Sequence, residues 1–190
     1  MSDAQADHQL LTAAAGGDRG AFAILVERYQ GPVFHLARAL TGDRVAAEDV
    51  LQDTFLAAWR GAAGFRGDGA VGAWLYAIAR HAAARRGRRA DQVATDDRSL
   101  EQLGAAAGWG ATDVAAAAHQ AEDRAALERA LATLSADDRA AIWMHHVLDQ
   151  TFEDTARVLG CSVAAVKSRL HRARLALAAA LREGGHHDAR

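Results

Sequence analysis

Apolar residues recur along most of the chain at spacings of three and four, and short breaks carrying glycine or acid separate the segments. That rhythm is the mark of amphipathic helices. A first segment runs from Gln9 to about Ala15 and ends at Gly16-Gly17-Asp18. A second, Arg19 to Gln30, sets Ala21, Ile24, Leu25 and Arg28 at helical spacing, with Phe22 and Val26 beside them. Gly31-Pro32 is expected to break the chain, because proline suits the first turn of a new helix, here Val33 to Leu40. After Thr41-Gly42-Asp43 the set Ala47, Leu51, Phe55, Ala58 and Trp59 predicts a helix from Val45 to about Trp59. A glycine-rich loop, Gly61 to Gly72, precedes a helix from Ala73 to about Arg86 whose stripe is Trp74, Leu75, Ile78, Ala79 and Ala82.

Residues 90–118 lose the rhythm and are rich in Ala, Gly and Asp, with Trp109 as the one large anchor. Such a stretch buries too little surface to pack and reads as a linker. The rhythm returns in Gln120–Leu134, Ala136 to about Leu148, Phe152–Leu159 and Val163 to about Leu181. Ser135, Thr151 and Ser162 stand where N-caps belong, and Gly160 suits a left-handed stop. The expected architecture is all-α: a helical domain over 1–89, a flexible linker over 90–118, a second helical domain over 119–183 and a disordered tail over 184–190.

Composition supports helices over strands. The 190 residues are 51% hydrophobic, much of it alanine, with a single proline; Ala, Leu and Arg favour helix and β-branched residues are sparse. No run reaches the roughly 20 apolar residues of a membrane span, and the acidic start, Met1 to Asp7, lacks the features of a signal peptide. Cys161 is the only cysteine, so neither an intramolecular disulfide nor a cysteine-built zinc site can form. A cytoplasmic protein without cofactor or metal is expected.

The net charge of −2 conceals segregation. Five arginines and no acid lie between Arg80 and Arg89, and six cations and no acid between Thr155 and Arg182. Asp91 to Asp154 holds thirteen acids against four arginines. Two basic islands suit a protein that touches a polyanion at two places.

The second island sits on a helix-turn-helix pattern: Phe152–Leu159, the turn Gly160-Cys161-Ser162, then a long basic helix. In that helix Val163, Val166, Leu170, Ala173 and Leu177 form one inward stripe. The opposite face centres on Ala164, Ser168, His171 and Arg172, with Lys167 and Arg169 on its flanks. Small residues at the leading turn admit a major groove. Ser168, His171 and Arg172 can reach base edges, while Lys167, Arg169 and Arg174 are placed for phosphates.

Asp49-Val50-Leu51-Gln52-Asp53-Thr54-Phe55, Phe65-Arg66-Gly67-Asp68, Trp74-Leu75-Tyr76-Ala77-Ile78-Ala79-Arg80, Leu134-Ser135 and Val166-Lys167-Ser168-Arg169-Leu170-His171-Arg172-Ala173-Arg174 resemble, in order and spacing, the extracytoplasmic-function sigma factors of bacterial RNA polymerase. The resemblance covers about residues 9–89 and 120–182. It implies no enzymatic activity, a first domain that binds core polymerase and opens the minus-ten element, and a second that reads the minus-thirty-five element. Asp49, Gln52, Asp53 and Leu56 share a helix face opposite Leu51, Phe55 and Ala58, and the resemblance makes that strip the core-polymerase dock. Phe65 and the more exposed Tyr76 offer aromatic surface for an unstacked base, and Arg80, His81, Arg85 and Arg86 offer phosphate contacts on the displaced strand. Trp74 falls on the core stripe. Promoter DNA and polymerase core are the implied partners, with an anti-sigma factor as regulator. His81 stands where the family usually has Asn, Arg85 where Asp is common, and Val71 where an aromatic is usual, departures that bear on minus-ten preference.

Two other readings were weighed. A helix-turn-helix regulator that is not a polymerase subunit leaves the acidic strip unexplained. A metal hydrolase built on His145, His146, Asp149 and Glu153 lacks a completed ligand set. Cys161 reads as a small packed residue rather than a redox sensor.

Overall fold

The computed structural model describes residues 3–67, 69–94 and 127–185. Trp109 and all but the first five residues of the expected linker lie outside these ranges, as does the tail beyond 185. Among the described residues every regular element is a helix.

Four helices form the first unit: α1 (Asp3–Ala15), α2 (Arg19–Thr41), α3 (Arg44–Gly61) and α4 (Val71–Ala94), with a single 3₁₀ turn, Ala62–Gly64, after α3. The starts of α2 and α3 are set by side-chain caps. Asp18 accepts from the Gly20 and Ala21 amides at 2.8 and 3.0 Å, and Asp43 accepts from Ala46 at 2.7 Å. Gly42, at φ 73°, closes α2, so only two residues separate α2 from α3.

Pro32 does not break α2 as the sequence predicts. Proline costs about 3 kcal/mol inside a helix. Leu25, Val33, Leu36 and Ala37 on both sides of it are at most 1% exposed in the same core. Burying a Val or Leu side chain stabilises by about 1.5–3 kcal/mol, so three such residues outweigh the kink. α4 likewise outruns its predicted end at Arg86 and takes in residues 90–94, since Gly87 costs only about 1 kcal/mol in a helix interior and no proline follows it before Ala94.

α1 is pinned through a buried carboxylate. Asp7, 3% exposed, accepts from the Arg28 guanidinium and from the Tyr29 hydroxyl at 2.5 Å. Tyr29 meets Tyr76 of α4 edge-on at 6.4 Å. Burial and the Asp7 carboxylate push the Tyr29 hydroxyl far above the ordinary tyrosine range, and burial pushes Tyr76 up to about 12.

The second unit holds α5 (127–132), α6 (Ala136–Ile142), α7 (Phe152–Leu159) and α8 (Val163–Gly185). The single helix predicted from Ala136 to Leu148 changes winding at Trp143. Over Trp143–Val147 the turn widens, with the Leu148 amide donating to the Trp143 carbonyl at 3.0 Å, and Asp149 at φ 49° reverses the chain. Met144, fully buried, anchors this turn.

The two units pack together, α6 against α2 and α7 against α4. Arg139 spans the junction, donating from Nε to the Ala39 carbonyl at 2.9 Å and from Nη1 to the Leu134 carbonyl at 2.5 Å. The His35 and Trp143 rings lie 4.9 Å apart across it. Between the units runs a groove of about 740 Å³ lined by Leu40, Ala46, Arg80, Ala84, Arg86 and Asp137, among others.

Candidate nucleic-acid interface

The basic helix α8 is oriented by its own stripe. Val166, Leu170 and Ala173 are at most 3% exposed, and Val163 and Leu177 are half-buried at its edges. Thr151 caps α7 by accepting from the Asp154 amide at 3.0 Å, and Ser162 caps α8 by accepting from Ala165 at 3.1 Å. Gly160 between them takes φ 60°, the left-handed conformation that glycine adopts without strain. With the rotation of α8 fixed, Ala164, Lys167, Ser168, His171, Arg172 and Arg174 all reach solvent.

The cations on this face have local partners. Lys167 sits over the Phe152 ring at 5.2 Å, Arg172 reaches Asp138 at 3.4 Å and Arg174 contacts the His146 ring at 2.9 Å. Arg169 differs from its neighbours. Its side chain is 21% exposed and pairs with Asp137 at 2.9 Å, so it is drawn in toward α6 rather than standing free on the flank. Burial and the neighbouring Arg174 lower the His146 pKa, which keeps that ring neutral at pH 7.

On α3, Gln52 and Leu56 are exposed and Asp49 and Asp53 half-exposed on one face. Val45, 67% exposed, extends the strip by one turn. The sequence offered a signal for it, since 45, 49, 52, 53 and 56 share helical spacing, but Val45 read only as the start of the helix. The strip is thus a polar centre between two exposed apolar ends.

The loop and α4 divide the expected strand-contacting residues. Phe65 is half-buried between His8 and Trp74, with ring centroids at 5.6 and 5.2 Å. Beside it lies a hollow of about 230 Å³ lined by Gly64, Phe65, Gly69, Trp74 and, from α7, Arg157 and Val158. Tyr76 does not have the exposure expected of it. It is 4% exposed, because α1 and Tyr29 cover its side of α4, so in this arrangement it offers no stacking surface. His81 and Arg85 face solvent, and Arg88, one turn on, joins them at positions 81, 85 and 88. Arg80 and Arg86 instead line the groove between the units. Arg80 lies against the Gly160 turn, and Arg86 pairs with Asp49 and, at 3.6 Å, with Asp53.

The histidines once considered for a metal have other contacts. His145 bonds the Gln150 carbonyl at 2.9 Å and stacks on Phe152 at 4.2 Å. Among the described residues no three His, Cys, Asp or Glu side chains converge on one point. Cys161 is half-buried in the turn before α8.

Comparison with known proteins places both units. Residues 25–93 match sigma-70 region 2, and residues 124–177 match sigma-70 region 4. Curated relatives include the ECF RNA polymerase sigma factor SigM of Mycobacterium tuberculosis, 38% identical over 92% of this chain and 84% of that protein. The RNA polymerase sigma-H factor of Pseudomonas aeruginosa is 34% identical over 95% of this chain and 96% of its own length. Among solved structures, the sigma factor RpoE in complex with the anti-sigma factor NepR from Bartonella quintana superposes with a TM-score of 0.70 at 27% identity, covering 85% of this chain and 96% of that one. CnrH in complex with the cytosolic domain of CnrY gives 0.66 at 29% identity, covering 94% and 98%.

Proposed function

The chain belongs to the sigma-70 family, in its extracytoplasmic-function group, and from that premise we propose how its surfaces divide the work of starting transcription. The α3 strip Asp49, Gln52, Asp53 and Leu56, extended by Val45, docks on core polymerase. Its exposed apolar ends and acidic centre suit a helix that is basic along one side. The loop around Phe65, with its adjoining hollow, takes an unstacked base of the minus-ten element, and His81, Arg85 and Arg88 contact the phosphates of the displaced strand. The α7–turn–α8 motif reads the minus-thirty-five element. Arg172 and His171 reach base edges, and Lys167 and Arg174 hold the backbone, with Arg169 joining them once its pair with Asp137 opens. Bond-making is left to the polymerase, so the chain needs no cofactor and works in the cytoplasm where polymerase is.

The observation that carries the reading is the rotation of α8. Its buried stripe turns Ala164, Lys167, Ser168, His171, Arg172 and Arg174 outward, and this shared exposure supports the reading. In the packed arrangement the far wall of the Phe65 hollow belongs to α7, so promoter engagement requires the two units to separate. Region 2 and region 4 would then address two DNA elements at once. The sigma factor RpoE was solved with the anti-sigma factor NepR bound, and CnrH with the cytosolic domain of CnrY. A regulatory protein that holds the units together is the expected control.

Run-off transcription with purified core polymerase tests the assignment. Addition of the chain should produce discrete start sites. Arg172→Ala should weaken promoter binding by about 1–3 kcal/mol and leave core association intact, whereas Asp53→Arg should abolish co-purification with core. A chain that neither joins core nor directs initiation would refute the proposal.

A further inference from the structure

We infer that polymerase docking and nucleic-acid binding compete for one side chain, Arg86, so that occupation of the α3 strip releases a cation for DNA. The inference rests on the docking role proposed for Asp49 and Asp53. Arg86 projects from α4 toward α3, where one terminal nitrogen contacts Asp49 and the other lies 3.6 Å from Asp53. The three side chains are 38%, 42% and 44% exposed, so the triad is open to an arriving partner. Its other side faces the groove between the units, beside Arg80.

One guanidinium between two carboxylates has two consequences. Its donors are directed at Asp49 and Asp53, so Arg86 is a weaker phosphate ligand than Arg85 one residue away, which faces solvent. The carboxylates in turn offer a partner a net charge of minus one where the sequence suggests minus two. A cationic side chain that docks on Asp49 and Asp53 displaces Arg86, which then swings into the groove with its full charge. Coupling of this kind is reciprocal, so DNA that captures Arg86 strengthens the acidic strip by the same factor. Exposed pairs are weak individually, which sets the expected coupling at about three- to tenfold.

The test uses the intact chain and fluorescein-labelled oligothymidylate, a probe that reports phosphate contacts without sequence. Anisotropy titrations across a salt series compare the wild type, Asp49→Asn/Asp53→Asn, Arg86→Gln and the triple variant. The double variant should bind about three- to tenfold tighter, with a salt slope steeper by about 0.7, the value of one added single-strand phosphate contact. Over Arg86→Gln, the triple variant should gain little. No gain in the double variant, or an equal gain in the triple, would overturn the inference, the latter because it would reflect overall charge alone. Arg86→Met replaces the glutamine variant if circular dichroism shows that the latter unfolds. In a separate arm, Arg86→Gln should bind core polymerase about three- to tenfold more tightly, since the strip loses its internal competitor. Unchanged or weaker binding would refute the coupling. A wild-type chain that fails to bind core would instead sink the docking assignment, and the oligothymidylate arm would still report on Arg86.

Discussion

Asp7→Asn is the substitution that probes the first unit most directly. Asp7 is 3% exposed and presents one carboxylate oxygen to Arg28 and the other to the Tyr29 hydroxyl. Asparagine keeps the volume but removes the charge and exchanges one acceptor oxygen for an NH₂ group, so Arg28 and the Tyr29 hydroxyl together lose their charged acceptor and one of its two accepting oxygens. The Tyr29 bond, to a charged acceptor, contributes on the order of 1.5–3 kcal/mol. The Arg28 side chain is 39% exposed, and a pair so open to water adds about 0–1 kcal/mol. The expected loss is about 2–3 kcal/mol, read as a shift of the urea midpoint at unchanged slope in circular dichroism. Asp7→Glu should not restore stability, because the added methylene moves the carboxylate off the positions that meet Arg28 and Tyr29. A change below about 0.5 kcal/mol, the range of ordinary surface substitutions, would refute the claim that this carboxylate joins α1 to α2.

Alkaline titration offers a second check. Tyr29 and Tyr76 hold raised pKa values when folded, so the fold favours their neutral forms. The stability they confer is complete below about pH 10, the unfolded value, and is lost as pH rises through the folded values. Tyr29→Phe should flatten that loss when midpoints at pH 8 and pH 11 are compared. Arg139→Ala removes the hydrogen bond this side chain makes across the junction to the Ala39 carbonyl, and small-angle scattering should show a larger radius of gyration with the helix content retained. Burial, and then Arg38, lower the His35 pKa; its neutral ring is favoured in the packed state, so the contribution is complete above about pH 6.5 and falls as pH drops through the folded value. The same scattering measurement at pH 5.5 should show expansion, and His35→Leu should remove the difference between pH 5.5 and pH 7.5.

Helix positions and the α7–turn–α8 motif were legible because both rest on local signals: apolar spacing, caps at Ser135, Thr151 and Ser162, and a glycine stop at Gly160. What depends on distant neighbours was not. Pro32 read as a break because its cost is local, whereas the burial of Val33 and Leu36 that offsets it comes from other helices. Tyr76 read as exposed from the stripe on α4 alone, yet α1 and Tyr29 cover it from across the bundle. Arg86 and its carboxylates are 37 residues apart for the nearer contact, beyond the reach of any periodicity. In the sequence Asp7 belongs to an acidic terminus. Its spacing of four from Leu11 and seven from Ala14, both buried, was the clue that it shares their inward face.

The position of α1 also bears on how the protein is best handled. His8 rests against Gly67, where a β-carbon would come within 2.8 Å of its ring, and meets the Phe65 ring at a tilt. A shortened version starting near Arg19 would strip one wall from the Phe65 loop and leave the Tyr29 hydroxyl without its acceptor, so it would misreport the loop's affinity for DNA. Affinity handles and fluorophores are therefore better kept off this helix, which braces the loop.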